Sequence, residues 1–445
     1  MELKRKPIHT PISLSHLLKK TVMLSLLFVL LFNADTEAAS FRIGSYNVEN
    51  LFDLRYDGTE YKEYIPNNHF HWNRDMYTTK TENIARVIHG MAADIVALQE
   101  VESERALSFL RDRLRRVRCL YPYMEIADAK PTPVKCAVLS KFPILEKKEI
   151  DVDHESARNI LQITLDINGT PLVLFVNHWK SKRGPESMRV SYARALRQEI
   201  DRLPRDSDFV LLGDFNSNYN EYKTLQKSPS LNNTSGITGI NHVLGTIKDL
   251  ELVDEKTIKN VTTNEHLYNL WLELDKSRRW SYIYSGRRGS PDNMIVSKSL
   301  YDKIGLSYTN DSFDKLEADY LFKKGRIYRW QRAERGMGRH LGRGFSDHLP
   351  IFASFSTDPI RSESRANRHS SNPPLKATQG ESSSTLVDLN KATAEQLEAI
   401  KGIGPVLSQR IIAGRPYKSI EDLLRVRGIG PKRLKRLRAR FVIDP

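Results

Sequence analysis

The chain has 445 residues, which is enough for two or three domains that each bury a core. Its composition, with 40% hydrophobic and 28% charged residues, excludes a fibrous or a wholly disordered protein, and its two cysteines exclude a disulfide scaffold and a cysteine-built zinc site. The formal net charge of +15, from 69 Lys+Arg and 54 Asp+Glu, predicts attraction to a polyanion such as nucleic acid or an anionic membrane surface.

The N-terminus combines a basic segment, residues 1–20, with a mostly apolar run, residues 21–32, and small residues up to Ser40. This order predicts a signal peptide over residues 1–39 and a secreted or periplasmic protein. Because the run is shorter than the roughly 20 residues that cross a bilayer, stable membrane association is expected only if the segment stays uncleaved as an anchor. In an exported chain, Cys119 and Cys136 form either one disulfide or two free thiols.

The next part of the chain alternates predicted strands and helices, which indicates an α/β domain. Short runs rich in Val, Ile, Leu and Phe predict strands at 41–46, 94–98, 136–140, 160–165, 172–176, 209–213, 293–297 and 349–355. Amphipathic patterns predict helices at 80–91, 104–117 and 187–203. Two irregular stretches, 217–270 and 305–345, are interpreted as surface insertions.

The C-terminal part begins with a serine-rich segment, 358–385, which is too poor in large apolar residues to fold and is predicted to be a flexible linker. Residues 386–445 follow with 13 Lys+Arg and six Asp+Glu, a net charge of +7. They contain an internal repeat, LEAIKGIGPVLSQRII at 397–412 and LLRVRGIGPKRLKRLR at 423–438. Each copy predicts a tight Gly-Ile-Gly turn followed by an amphipathic helix with proline in its first turn.

Polar side chains follow the predicted strands of the α/β domain at the points where those strands end. They are Asn47, Glu100, His178, Asp214 and Asn216. If these strands run parallel, all five side chains lie on one rim of the sheet. Three further residues, Asp292, Asp347 and His348, precede their strands and reach the same rim only if those strands run antiparallel to the others.

A cluster of carboxylates, histidines and amides is costly to assemble without a cation or a catalytic task. Oxygen ligands with one or two carboxylates are what Mg²⁺ prefers, and it commonly binds together with substrate phosphate. Glu100 is the expected direct ligand, and Asp214 can take a proton from the attacking water, which Asn216 orients. His178 and His348 can donate to a phosphate whose charge grows in the transition state.

Five motifs in this order, SYNVENLF, LQEVE, NHWKS, GDFNS and SDHLP, resemble those of the endonuclease/exonuclease/phosphatase superfamily. The resemblance covers residues 41–357. It implies a four-layer α/β sandwich with mixed sheets and a divalent-metal-dependent phosphodiesterase or phosphatase. The implied roles are metal binding for Asn47, Glu100 and Asp347, and catalysis for His178, Asp214, Asn216, Asp292 and His348. Asp292 would orient His348, and either Asp214 or His348 would be the general base.

The C-terminal segment 386–445 resembles the helix-hairpin-helix DNA-binding domain of bacterial competence proteins, from VDLNKATAEQLEAI through both GIGP turns. Backbone amides at such turns bind phosphate without reading bases. The residues expected to contact DNA are Gly402, Gly404, Gly428, Gly430, Lys432 and Arg433. In the α/β domain, Arg287 and Arg288 precede Asp292 and are expected to face phosphate or DNA.

The sequence is therefore interpreted as an exported, monomeric nuclease that hydrolyses DNA phosphodiester bonds with Mg²⁺, or alternatively Mn²⁺ or Ca²⁺. A flexible tether would join it to a small all-α module for non-specific, double-stranded DNA. Two alternatives stay open: a phospholipid or sugar-phosphate phosphodiesterase of the same superfamily, and a DNA-binding surface protein with an inactive catalytic domain. Endonuclease and exonuclease action are equally compatible with these motifs.

Overall fold

The computed structural model describes residues 40–153, 157–302, 304–357, 387–398, 400, 403–430, 433–434 and 437–442. The predicted signal peptide, the linker 358–385, and two of the predicted DNA contacts, Gly402 and Lys432, lie outside the described residues. Among the helices of the described part, none is both long enough and apolar enough to cross a membrane.

A seven-stranded sheet and a six-stranded sheet form the frame of the α/β region. Its first eight strands are β1 (Ser40–Leu51), β2 (Ile95–Val101), β3 (Tyr123–Ile126), β4 (Lys135–Ser140), β5 (Ile144–Ile150), β6 (Ile160–Ile167), β7 (Thr170–His178) and β8 (Phe209–Asp214). The later strands are β9 (Tyr268–Asn269), β10 (Tyr282–Tyr284), β11 (Arg287–Gly289), β12 (Asp292–Val296), β13 (Leu306–Tyr308), β14 (Asp314–Lys315) and β15 (Ile351–Thr357). Sheet I has the order β13-β15-β1-β2-β4-β3, with β14 paired to β15, and sheet II has the order β9-β12-β8-β7-β6-β5.

Both sheets are mixed. In sheet I, β1 is parallel to β2 and antiparallel to β15, and in sheet II, β7 is parallel to β8 while β12 is antiparallel to β8. Small hairpins pair β10 with β11, residues 247–248 with 251–252, and residues 322–323 with 326–327. The strand that follows Asp347 and His348 and the strand that begins at Asp292 are therefore antiparallel to their neighbours, as these residues require in order to reach the rim.

Helices pack on the outer faces of the two sheets and, for the helix at 255–260, against the layer between the sheets. They are α1 (Arg74–Met91), α2 (Glu104–Arg116), α3 (Glu186–Arg202), α4 (Glu221–Thr224) and α5 (Glu255–Asn260). Three of them begin at side-chain caps: Asn73 accepts the amides of Asp75 and Met76, Ser103 accepts the amide of Ala106, and Asp254 accepts the amide of Thr257. The Asn73 cap explains why α1 starts at Arg74 rather than at the predicted residue 80.

Alternating side chains divide the core into layers. Along β7, Leu174 and Val176 pack between the two sheets, whereas Val173 and Phe175 pack on the side of α3. Along β1, Ile43 belongs to the layer between the sheets, while other residues of the strand pack towards α1 and α2. The order helix, sheet, sheet, helix is the four-layer α/β sandwich that the resemblance implied, and this prediction is confirmed.

The interpretation of 217–270 and 305–345 as surface insertions is wrong. Buried residues from both stretches enter the core, among them Ile240, Leu244, Ile258, Phe313, Leu321 and Trp330. Strand β13 also extends sheet I. Short helices and loops carry these apolar residues, so their spacing is irregular over the stretch and gives no periodic signal. Outside these two stretches, four strands of the α/β region were also missed: β3, the largely polar β5, and the hairpin strands β10 and β11.

The C-terminal described residues have a small core of their own. Helices α6 (Ala394–Glu398) and α7 (Pro405–Ala413), a 3₁₀ turn at Ile420–Arg425, and a short parallel pair, β16 (Val387–Asp388) with β17 (Phe441–Val442), surround it. Its buried residues include Leu397, Ile411, Leu423 and Phe441. Helix α7 begins at Pro405, directly after Gly404, as the predicted first-turn proline requires.

Candidate active site

Strand register brings the predicted residues to one end of the sandwich. In sheet II, His178 is paired with Asp214, and Asp214 with Asp292, across neighbouring strands. In sheet I, Asn47 pairs with Gln99, directly before Glu100. The rim is thus shared by two facing sheets rather than belonging to one, because the parallel strands β1–β2 and β7–β8 lie in different sheets.

Left-handed backbone marks this rim. Glu100 has φ 67° and Asn216 has φ 49°, and the β1–β2 pairing is interrupted after Asn47. Non-glycine residues in this region are held there at a cost of about 1–3 kcal/mol each, which the surrounding structure must offset. Gly213, with φ 128°, lies so close to the backbone of Asn177 that no Cβ would fit. The backbone conformation at the ends of β2 and β8 therefore fixes the directions of the Glu100 and Asn216 side chains.

Asp214 is the hub of the cluster. Its Oδ1 accepts the backbone amide of Asn216 at 2.8 Å, and its Oδ2 accepts the side-chain amides of Asn216 at 3.2 Å and Asn47 at 3.1 Å. The Nε2 atoms of His178 and His348 lie 3.7 and 4.0 Å from the same oxygen. Burial raises the pKa of Asp214 to about 7, against the opposing charge of His348. A carboxylate with this pKa can accept a proton near neutral pH.

Glu100 lies beside Asp214 and is partly open to solvent. Its Oε1 accepts from Asn47 Nδ2 at 3.1 Å and lies 3.6 Å from His178 Nε2. Burial, and then the charge of Asp347, raise the pKa of Glu100. Asn47 uses its Oδ1 for the backbone amide of Glu49 at 3.0 Å, so its amide group bridges the two carboxylates. Oxygen donors with this excess of negative charge fit a hard divalent cation.

His348 is held by a chain of polar contacts. Its Nδ1 lies 2.8 Å from Asp292 Oδ2, which also accepts the Ser281 hydroxyl at 2.5 Å. The ring packs against Tyr282, with centroids 4.6 Å apart. Burial alone would lower the pKa of His348, but the carboxylates of Asp292 and Asp214 outweigh it, so the pKa lies well above the usual value. His348 is therefore a charged donor whose Nε2 faces the cluster.

His178 contrasts with His348. It is buried, and its Nδ1 has no hydrogen-bond partner among the described residues. Burial, reinforced by the charges of Arg158 and His348, lowers its pKa well below the usual value. The Arg158 guanidinium, which donates to the His178 carbonyl at 3.3 Å, is a neighbour that sequence reasoning missed. His178 is neutral and can donate one hydrogen bond without adding charge.

Asp347 is reached from a distant segment. Arg329 Nη2 lies 3.4 Å from Asp347 Oδ2, and the same guanidinium binds the carboxylate of Glu49. Ser346 donates to the Asn47 carbonyl at 2.7 Å and so ties this turn to β1. Sequence reasoning missed Arg329, which lies 280 residues from Glu49 and outside the recognised motifs. It also missed Glu49, which could have been found because it lies within SYNVENLF. Ser346 could have been found, since it begins the SDHLP motif.

The predicted arginines Arg287 and Arg288 lie on the hairpin β10–β11, next to the rim. The hairpin reaches the site through Tyr282, whose ring packs on His348. Both arginines are exposed, and the Arg288 guanidinium lies 4.5 Å from the centre of the Trp280 ring. The exposed side chain of Tyr284 completes a basic and aromatic edge beside the cluster. That Arg287 and Arg288 face phosphate or DNA stays a prediction.

The two Gly-Ile-Gly turns have different surroundings. Gly404 has open space around it, whereas a Cβ on Gly430 would come within 2.8 Å of the Asp275 carboxylate. Arg433 donates to the Gly428 carbonyl at 2.7 Å and lies 3.2 Å from Asp311. The second turn therefore rests against acidic residues of the α/β region, and its predicted DNA contact Arg433 is engaged within the protein.

The two cysteines are free thiols in this structure. Cys136 is buried in β4, and Cys119 is partly exposed, with its Sγ 3.2 Å from His89 Nδ1. Neither lies among the rim residues described above. Of the two alternatives left by the sequence, the structure has the unpaired one.

Comparisons with known proteins agree with this organisation. The model of the endonuclease/exonuclease/phosphatase family matches residues 42–249, and that of the helix-hairpin-helix motif matches residues 382–442. A deoxyribonuclease of Thioalkalivibrio sp. (strain K90mix) is 30% identical over 95 residues, covering 21% of this chain and 23% of that protein. ComE operon protein 1 of Bacillus subtilis (strain 168) is 37% identical over 62 residues, covering 13% of this chain and 30% of that protein.

The chain thus spans less than a third of the length of either relative. Among solved structures, truncated TDP2 of Caenorhabditis elegans is similar at 17% identity with a TM-score of 0.42, over 72% of this chain and 98% of that one. The two regions matched by family models contain most of the five ordered motifs and the helix-hairpin-helix repeat, and the four-layer fold is the one that these motifs imply. The chain carries an endonuclease/exonuclease/phosphatase domain together with a helix-hairpin-helix motif.

Proposed function

We propose that this protein is a divalent-metal-dependent nuclease that hydrolyses DNA phosphodiester bonds. One observation carries the proposal: two facing sheets bring the buried acceptor Asp214, the charged donor His348 and the partly exposed Glu100 to a single rim. Members of this superfamily are hydrolases of phosphodiester bonds. The arrangement supplies a proton acceptor, a donor for phosphate oxygen and a set of oxygen ligands in one place.

The roles follow from the contacts. Glu100 and Asp347 would hold the ion, and Asn47 would hold Glu100 in place. When bound, a hard divalent cation such as Mg²⁺ neutralises charge on the phosphate oxygens. Asp214 accepts the proton of the attacking water, which Asn216 helps to position, while the bond from phosphorus to the leaving oxygen breaks. His348 and His178 donate to phosphate oxygens, and Asp292 is a positioning residue because it acts through His348.

The choice of DNA rests on the C-terminal module and the charge. Exposed backbone at the Gly404 turn and a net charge of +7 over residues 386–445 suit contacts to the phosphate backbone. The deoxyribonuclease name of one relative supports the same substrate. We further propose that the module binds duplex DNA without sequence preference, that the protein is a monomer, and that it is exported after cleavage near Ser40. Mass spectrometry of the mature protein tests the last point, and an intact Met1 would contradict it.

The test of activity is a nicking assay with supercoiled plasmid. The purified full chain is incubated with Mg²⁺, with Mn²⁺, or with a chelator, and the same preparations are given a phospholipid and an inositol phosphate. The proposal expects metal-dependent nicking and much slower turnover of the other substrates. Faster hydrolysis of either phospholipid or sugar phosphate would assign the rim to that substrate, and no hydrolysis at all would leave a binding protein with an inactive domain.

A further inference from the structure

A second acidic cluster lies apart from the rim, in the loop after β1. Asp57 and Glu60 belong to this loop, and Glu102 directly follows β2. One carboxylate oxygen from each of the three lies within 4.8 Å of the others. Like charges at such distances repel one another, most strongly where solvent is excluded. The cluster is separate from the catalytic candidates, because Glu100 uses its carboxylate towards Asn47, whereas Glu102 binds the backbone of Asp53.

An independent observation points to a ligand. Glu102 is only 1% exposed, and its Oε1 is buried without a hydrogen-bond partner among the described residues. Its Oε2 accepts the amide of Asp53 at 2.6 Å. Leaving a buried carboxylate oxygen without a hydrogen bond is destabilising, so a partner for Oε1 is expected in the native protein. A cation among three carboxylates would do so.

The neighbouring positive groups do not complete it. Lys135 Nζ donates to the backbone carbonyls of Glu102 at 2.5 Å and of Thr132 at 2.9 Å. Arg105 lies 3.6 Å from Asp53 and is mostly exposed. Burial alone would raise the pKa of Asp57, but hydrogen bonds from Thr59 outweigh it and lower that pKa, with smaller contributions from the charges of Lys135 and Arg55. Lys135 is therefore the competing cation, and its ammonium group is turned to main-chain oxygens rather than to the three carboxylates.

The loop holds its two acids in fixed positions. Glu60 accepts the amides of Asp57 at 2.6 Å and Gly58 at 2.9 Å, and Asp57 accepts the amide of Thr59 at 2.9 Å. Gly58 has φ 92°, which favours glycine at the turn. Asp57 and Gly58 are exposed, so an ion can enter from solvent.

We propose that Asp57, Glu60 and Glu102 form a structural calcium site, distinct from the catalytic rim. The donors are all oxygen, and Ca²⁺ accepts irregular sets of six to eight oxygens, including water, whereas Mg²⁺ requires near-octahedral geometry. Bound Ca²⁺ would tie the loop after β1 to the end of β2, only two residues from Glu100. This inference does not depend on the proposed nuclease activity.

Calcium binding is measured by isothermal titration of the full chain, because this readout needs no catalysis. A Glu100→Gln background removes one proposed ligand and so weakens metal binding at the rim, and the substitutions below assign the binding that remains. On this background, Asp57→Asn with Glu60→Gln is compared with a control pair, Asp319→Asn with Glu146→Gln, which makes the same charge change at exposed residues. The first pair should weaken Ca²⁺ binding by at least roughly tenfold, because affinity follows the number of charged ligands; the control pair should not.

Hydrogen exchange reports on the amides of the loop itself, so an ion bound elsewhere in the protein would not change it. Ca²⁺ should slow exchange of amides in residues 53–60, and the double substitution of Asp57 and Glu60 should abolish that protection. If the Glu100→Gln protein binds no Ca²⁺, or if the two doubly substituted proteins bind it equally, the cluster is not a calcium site. Lys135 would then be sufficient to balance the charge of the three carboxylates. If the unmodified chain binds Ca²⁺ at these residues but does not nick plasmid in Mg²⁺, the proposed function is contradicted and this inference stands.

Discussion

The catalytic rim and the C-terminal module, residues 386–445, are both proposed to bind phosphate groups, but they use different chemistry. At the rim, buried side chains from two sheets hold one another in place around Asp214. In the module, the turn at Gly404 presents backbone to open solvent. Preorganised buried groups are sensitive to single substitutions and to pH, whereas backbone contacts with a polyanion are sensitive to salt. The two regions should therefore fail independently and in different ways.

The largest effect is expected at Asp214. Asp214→Asn keeps the size of the side chain but removes the proton acceptor, so the nicking rate should fall by roughly 10²–10⁴. DNA binding should be unchanged, because the module is untouched. Nicking rate and duplex affinity are measured on the same preparation, with Asp206→Asn, an exposed residue before β8, as the control. An unchanged rate in a folded Asp214→Asn protein would show that the active site lies elsewhere.

His348 should have the next largest effect. His348→Ala removes a charged donor, and loss of one such donor typically lowers kcat by roughly 10²–10³. His69→Ala changes an exposed histidine in the same way and should leave kcat unaltered. Because Asp292 acts through His348, adding Asp292→Asn to His348→Ala should lower kcat little further. Additive losses in the double variant would mean that Asp292 has a role of its own.

Glu100 should respond to metal concentration. Glu100→Gln removes a proposed ligand and no proton carrier, so its lost activity should be partly recovered at high Mg²⁺ or Mn²⁺. The Asp214→Asn protein provides the contrast, since added metal should not restore it. Rates are followed over a metal titration for both variants. Equal responses of the two proteins would contradict the separate roles proposed for these carboxylates.

The pH dependence should separate the two regions. Burial raises the pKa of Asp214 to about 7, and the proton acceptor must be deprotonated. The nicking rate should therefore fall as pH decreases through about 7, approaching tenfold for each pH unit below it. Binding by the module depends on Lys, Arg and backbone amides and should stay constant between pH 6 and 8. A parallel loss of binding at low pH would attribute the pH effect to DNA association instead.

The smallest effect on chemistry is expected from the module. Removing residues 386–445 should raise the KM for long duplex DNA by roughly tenfold or more, since the tether keeps DNA near the rim, with kcat little changed. The salt dependence of binding should also become shallower, because phosphate contacts are lost. Affinity is measured from 50 to 200 mM salt for both proteins. Unchanged affinity would identify the module as a protein-interaction domain.

The sequence predicted most of the sandwich because its central strands are buried on both faces and read as continuous apolar runs, as in β7 and β8. It also predicted the rim residues, since each stands within four residues of a strand end. It could not predict that two sheets share the rim, because pairing partners are not encoded locally. Arg329, which reaches Asp347 and Glu49, and Trp330, which enters the core, come from a stretch without periodicity and gave no signal.

Cleavage and binding of one fluorescent duplex by two variants test the central claim most directly. Full-length Asp214→Asn and the protein without residues 386–445 are compared with the unmodified chain in Mg²⁺, with fold checked by circular dichroism. We predict that Asp214→Asn binds the duplex normally but does not cut it, while the truncated protein cuts with normal kcat but binds weakly. If either variant loses both cleavage and binding, or if Asp214→Asn still cuts the duplex, the claim that catalysis and DNA binding reside in two separate regions is contradicted.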